Sequence, residues 1–259
     1  IVGPAEGRMA SGLTGKGRMV EPGDLVGHIR LTLARQAGGP LAGRRVIVTA
    51  GGTQEVIDPV RFISNHSSGK QGFAMAQAAM DRGASVTLIT GPNTLPTPPG
   101  AERIDVRSAA EMAEAVLAAS AEADVLIMAA AVADFRPETE AEQKIKRGTL
   151  DTYNLPLTRT IDILAAVAER KAQTGKPAIT VGFAAETQNL IENAREKVLK
   201  KKLSLIVAND VSAKDAGFFV DTNRVTIIDA GGGAQTLPLM SKAEVGEVVC
   251  ERVERLLRG

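Results

Sequence analysis

An α/β fold built on a doubly wound, mainly parallel sheet is what this sequence predicts, and three observations predict it. Short β-branched runs recur at 45–50 (RVIVTA), 85–90 (SVTLIT), 103–106 and 124–130 (DVLIMAA), as expected for buried parallel strands. Between them lie helical spacings: Phe73, Ala76, Ala79 and Met80 within 69–82, closed by Gly83, and an Ala/Glu-rich stretch at 108–122. After a charged, aperiodic interval at 135–160 the alternation resumes, with a helix at 161–172, a strand at 178–183, a helix at 189–202 and a strand at 203–207. Such alternation with short links implies a Rossmann-like sheet with right-handed crossovers. Phe218-Phe219-Val220 and 224–228 flank Asp221-Thr222-Asn223, which reads as an added hairpin. A last amphipathic helix at 245–257 closes the chain. Residues 1–42, rich in Gly and Pro, read as an irregular leader, and 43–259 as the folded body.

Bulk properties narrow the function. The chain has 259 residues, 44% hydrophobic and 24% charged, with a net charge of +1. That balance gives no reason to expect a nucleic-acid partner, so any basic patch is local and aimed at a small anion. No apolar run approaches the roughly 20 residues that span a bilayer. The lone Cys250 cannot form an intramolecular disulfide, which makes a reducing cytoplasm the default, and its helix makes it a buried apolar residue. Ile1-Val2-Gly3-Pro4 carries neither an initiator Met nor a signal peptide and reads as a cut within something longer.

In open sheets of this kind ligands lie beyond the carboxyl ends of the strands. There the first strand runs into Gly51-Gly52-Thr53 and then Asn65-His66-Ser67-Ser68-Gly69-Lys70. Hydroxyls, a glycine and a lysine where a helix begins suit an anion, phosphate above all, although an ordinary capped helix would look the same. Gly52, Ser67, Ser68, Gly69 and Lys70 are the phosphate candidates. Asp134 follows the small-residue run Ala129-Ala130-Ala131 and can meet a ribose, a base amine or a metal, or simply cap a turn. Lys144-Ile145-Lys146-Arg147 forms a basic flap in an acidic stretch, able to close over a polyphosphate or to remain solvated. Lys197 and Lys201 share one helix face. Lys70 is followed by Gln71, so there is no GxxxxGKS/T phosphate loop. No GxGxxG follows the first strand, and the second ends Thr90-Gly91-Pro92 without a ribose carboxylate, which argues against a nicotinamide oxidoreductase. His28 and His66 are too few for a metal cluster, and no side-chain metal site is expected.

These strings together resemble phosphopantothenoylcysteine synthetase, the ligase domain of the bifunctional coenzyme A biosynthesis protein. The matching segments are TAGGTQEVIDPVRFISNHSSGKQGFA (49–74), AAAVADFRP (129–137), KIKR (144–147), VGFAAET (181–187) and VANDV (207–211), in order over 43–259. The resemblance implies ligation of 4′-phosphopantothenate to L-cysteine with CTP and Mg²⁺, through an acyl-cytidylate. It further implies that Asn65 holds that intermediate and that Lys144 stabilises charge at the α-phosphate. Met128, Ala129, Ala130, Asp134 and Phe183 would border the nucleotide, and Lys197 and Lys201 would reach its phosphates. Ile161, Asp162, Ile163 and Leu164 match a family turn whose Asn-Pro is replaced here by Thr160-Ile161. A homodimer is implied, with the hairpin and the basic flap as its contacts. The leader resembles the tail of the partner flavoprotein decarboxylase, with Ala10-Ser11-Gly12 where that family has Ala-Cys-Gly. Ser11 cannot replace the thiol, and the FMN-binding portion lies outside this sequence, so decarboxylation is not expected of this chain.

Overall fold

The computed structural model describes residues 1–147, 152–186, 189–210 and 220–259, together with the backbone but not the side chains of Glu186 and Asp210. The leader is ordered into β1 (Ala5–Arg8), β2 (Thr14–Arg18) and α1 (Pro22–Gln36). This departs from the irregular leader expected from composition. The β1–β2 ribbon buries no side chain fully, and α1 buries only Gly27 and Leu31, while its apolar Val26, Ile29 and Leu33 stay exposed. Leu31 joins the main core, and Arg30 and Arg35 reach Asp81 and Ser85, which docks α1 on the body.

The body then runs β3 (Arg45–Ala50), β4 (Gln54–Val56), β5 (Phe62–Ser64), α2 (Lys70–Asp81), β6 (Ser85–Thr90), β7 (Glu102–Asp105) and α3 (Ala109–Ser120). It continues through β8 (Val125–Met128), β9 (Phe135–Pro137), β10 (Leu157–Arg159), α4 (Ile163–Thr174), β11 (Ile179–Glu186), α5 (Leu190–Lys200) and β12 (Leu205–Asp210). Last come β13 (Thr222–Asn223), β14 (Val225–Asp229), β15 (Ala234–Thr236), β16 (Met240–Ser241) and α6 (Lys242–Arg258). The central sheet has the order β15-β14-β12-β11-β8-β3-β6-β7. Its six strands from β12 to β7 are parallel, and β14 and β15 add antiparallel pairs at one edge.

Alternate residues of the strands feed opposite layers, as the pleat requires. Val46, Val48 and Leu88 pack with α1, α2 and α6, whereas Ile47, Ile89, Leu126 and Met128 pack with α3 and α4. Ile206, Ala208 and Ile228 continue that second layer against α5. Cys250 is buried in α6, and burial pushes its thiol up to about 12, so it is a core residue without thiolate chemistry.

The expected hairpin at 221–223 takes a different form. Thr222 and Asn223 are not its turn but strand β13, paired with β16 near the start of α6. The tight hairpin is β14–β15, and Phe218 and Phe219 lie outside the described residues. A two-residue strand whose partner is 17 or more positions away leaves no local signal. No helix among the described residues is long and apolar enough to cross a membrane.

Candidate active site

The strand order reverses between the parallel neighbours β3 and β8. From β3 the chain steps outward to β6 and β7; from β8 it steps the other way to β11 and β12. Loops diverging from such a switch point open a crevice at the carboxyl ends of the strands. Here the two loops are also stitched together. The buried Thr49 hydroxyl accepts from the Ala130 amide at 3.1 Å, and the buried Thr53 hydroxyl accepts from Ala133 at 3.0 Å. The Ala131 amide donates to the Gly51 carbonyl at 2.8 Å. Thr160 closes the far side, its hydroxyl donating to the Ala133 carbonyl and its amide to that of Asp134. The Ala-rich run is therefore held rigidly, with its backbone open to the crevice.

Two cavities of about 480 Å³ each flank this run. The first is bounded by Asn65, the start of α2, Ala129 and Ala130, and by Asn209, Asn223 and Lys242 opposite. The second contains Met128, Ile161, Asp162, Ile163, Leu164 and Lys201. Ala130, Val132, Asp134, Phe183 and Lys197 belong to both, so the cavities meet along a common wall. The fold thus gathers ten of the sequence-nominated nucleotide residues, scattered from Met128 to Lys201, around the second cavity, with Ala129 in the first. A larger groove of about 950 Å³ runs along β7 and the amino ends of β3 and β6. Its lining includes Glu102, Asp105, Glu111, Glu114 and Glu122, which would repel a polyphosphate.

At the first cavity, α2 begins at Gly69 in the left-handed region (φ 76°), without a side-chain cap. The Ser67 and Ser68 hydroxyls accept from the Gly69 and Lys70 amides only at 3.3 and 3.4 Å. These weakly engaged donors at a positive helix end suit an anion. Asn65 is aimed by its Nδ2, which donates to the Val132 carbonyl at 3.0 Å. Asn209 is 9% exposed, yet among the described residues its Oδ1 has no hydrogen-bond partner. A buried orphan acceptor is costly unless something donates to it, which points to a ligand N–H or hydroxyl. Lys242 is also buried, and its Nζ donates to the Val220 carbonyl at 2.5 Å. Burial, and then neighbouring Lys70, pull its pKa down to about 8, with Asp221 opposing.

Three nominated residues lie elsewhere. Gly52 is beneath the loop, where a Cβ would come within 2.7 Å of the Asn65 carbonyl oxygen; it bridges to Ala131 rather than facing either cavity. Lys70 turns its ammonium to the Asp221 carboxylate at 2.6 Å, on the side of α2 away from Asn65. Lys144 is exposed and lines neither cavity; its neighbour Ile145 is bonded to Asp58 and Arg61. Lys201 does line the second cavity, paired there with Asp162, which also caps α4 through the Ala165 amide. Sequence reasoning missed Gln71, Asn223 and Lys242. Gln71 donates to the Lys242 carbonyl and accepts from Asn223, a set joined across about 150 positions or more that carries no local pattern.

With this geometry in view, the chain belongs to the family described as DNA/pantothenate metabolism flavoprotein C-terminal domain, whose model matches residues 41–257. Its relatives include the coenzyme A biosynthesis bifunctional protein CoaBC of Bacillus subtilis (strain 168), 47% identical over 257 residues, or 99% of this chain and 62% of that protein. The chain thus spans less than two thirds of that relative, and the match takes in the leader. A crystal structure of the C-terminal domain of a CoaBC protein is similar at a TM-score of 0.71 and 38% identity, over 85% of this chain and 98% of that one. A Cab2 mutant in complex with phosphopantothenate-cysteine shares the fold at a TM-score of 0.66 and 17% identity, over 91% of this chain and 93% of that one.

Proposed function

We propose that this chain couples 4′-phosphopantothenate to L-cysteine at the expense of CTP. The single observation that carries the reading is the pair of cavities meeting at Ala130, Asp134, Phe183 and Lys197. Membership of a family whose relatives include bifunctional coenzyme A biosynthesis proteins gives it a substrate class. The nucleoside is assigned to the cavity of Met128, Phe183 and 161–164, and the acyl substrate to that of Asn65 and Ala129. The common wall is then where the carboxylate meets the α-phosphate.

In this scheme a carboxylate oxygen attacks the α-phosphorus and the bond to pyrophosphate breaks, leaving an acyl-cytidylate. The cysteine nitrogen then attacks the acyl carbon, loses a proton, and expels CMP. Neither step needs a nucleophilic side chain; both need positioning and cations near developing charge. Lys197 and Lys201, and Lys144 reaching out from the segment held at Ile145, supply that charge, and Asn65 holds the intermediate. Mg²⁺ is expected to arrive with CTP, held by phosphate oxygens and water, as it commonly is. Among the described residues no three His, Cys, Asp or Glu side chains converge on a metal position. A homodimer of the full protein, with its decarboxylase domain, is part of the same proposal.

Pyrophosphate release from CTP with phosphopantothenate alone, followed by product on adding cysteine, is the expected course; parallel runs with ATP rank the nucleotides. Binding without turnover, or hydride transfer to a nicotinamide, would sink the reading. Asn65→Asp puts a carboxylate against the Val132 carbonyl and removes the donor that aims the side chain. Pyrophosphate should still appear while product formation stalls; loss of the first half-reaction alone would make Asn65 a CTP contact. Asn209→Ala is expected to cost stability no more than about 1.5 kcal/mol, the worth of one hydrogen bond at Nδ2, because among the described residues no bond to Oδ1 is lost. Affinity for the ligand that donates to it should fall by about 1–3 kcal/mol. Calorimetric Kd values for CTP and phosphopantothenate, beside a urea midpoint, check this; two unchanged affinities would remove Asn209 from the site.

A further inference from the structure

Outside the two cavities, the polar group with the densest set of donors among the described residues is the Asp58 carboxylate, in the turn between β4 and β5. Its side chain is fully buried. The amides of Val60 and Arg61 donate to it at 2.9 and 2.8 Å, the Arg61 Nε and Nη2 at 3.0 and 2.5 Å, and the Ile145 amide at 3.1 Å. Burial by itself would raise its pKa, but the Arg61 guanidinium and the three amides outweigh burial and hold the carboxyl far below the usual carboxylate range. The anchor is therefore charged across the neutral range, and its contribution is lost only as pH falls below the unfolded carboxylate value of about 4.

Arg61 completes a clamp, since its Nη2 also donates to the Ile145 carbonyl at 2.6 Å. Both backbone groups of Ile145 thus end on the Asp58–Arg61 pair, 84 or more positions earlier in the chain. A second tie runs from the Ala141 amide to the Ile57 carbonyl at 2.9 Å. The segment so held is otherwise exposed at Lys144, Lys146 and Arg147. Ile145 sits between the two lysines, so the clamp sets the point from which either ammonium reaches out.

We propose that Asp58 is a positioning residue for acyl-cytidylate formation, a buried anionic anchor that, through Arg61 and Ile145, fixes the placement of the basic segment carrying Lys144. The inference rests on the reading of Lys144 given above. Asp58→Asn is isosteric but turns an amide NH₂ toward groups that themselves donate. It is expected to slow pyrophosphate release by about tenfold or more, as loss of positioning does, with the KM for CTP moving by less than about threefold. Adding Lys144→Gln to Asp58→Asn should then cost far less than it does alone, because both act on one element. Amide exchange at Ile145 should accelerate while β3 and β8 keep their protection, an outcome that general loss of stability would not produce. Arg61→Lys, which keeps the charge but not the fork, is the second variant and should act in the same direction. Fully multiplicative rate effects, or an Ile145 amide protected as before, would overturn the anchor. If the unaltered chain releases no pyrophosphate from CTP, the Lys144 reading fails by itself, and the Ile145 exchange still decides whether Asp58 holds the segment.

Discussion

Lys144→Gln is expected to lower the rate of pyrophosphate release from CTP about a hundredfold, in the range found when a single group facing developing charge is removed. The side chain is exposed and lines neither cavity, so it adds little to the resting crevice. Lys197, by contrast, belongs to the wall between the two cavities, where the proposed site would bind its ligands in the ground state. In the proposed reaction, a cation carried on a segment clamped at Ile145 would act by extending its side chain as charge builds on the α-phosphate. An interaction made only then lowers kcat and kcat/KM together when it is lost. Single-turnover release measured across CTP concentrations separates the two cases. A raised KM at wild-type kcat would make Lys144 a binding residue, and wild-type release would remove it from the chemistry.

Gly72→Ala is expected to destabilise the protein by about 3 kcal/mol, at the upper end of what overpacking usually costs. The added Cβ would stand 2.5 Å from the Ala50 Cβ and 2.7 Å from the Thr49 carbonyl oxygen. Those neighbours belong to β3 at the centre of the sheet, which cannot yield, so α2 must lift away from it. The first turn of α2 carries Gly69 and adjoins Ser67 and Ser68, and its displacement reshapes the first cavity. Turnover should therefore fall by more than the loss of folded protein explains. A urea midpoint combined with activity per folded molecule measures both effects. Wild-type stability would mean that α2 is not seated on β3 as closely as these distances require.

Most of the sheet was legible from the chain alone, for a local reason. A strand such as 45–50 or 85–90 is buried on both faces along most of its length, so burial itself favours a run of apolar and β-branched residues. The helix at 70–81 needs one apolar face, so its period repeats every third or fourth residue. The leader was misread because its many Gly and Pro residues outweighed the helical spacing of Val26, Ile29 and Leu33 within α1. Thr222 and Asn223 were misread as a turn because polar residues beside an apolar run look like one, and only the distant Met240–Ser241 makes them a strand.

The site divides along the same line. Sequence by itself determined that a glycine- and serine-rich strand-to-helix turn and an Ala-walled strand end stand beyond the carboxyl ends of a parallel sheet, and that a basic segment follows in an aperiodic stretch. Each is a short string whose chemistry follows from its own residues. The tertiary structure decided what those strings face. Lys70, next to the serines in sequence, turns to Asp221, while Lys242, far along the chain, lines the cavity. Ile145, next to Lys144, is held by Asp58 across 87 positions. Direction and pairing of a charged side chain depend on which opposite charges folding brings within a few ångströms, and a run of neighbouring residues contains no record of that distance.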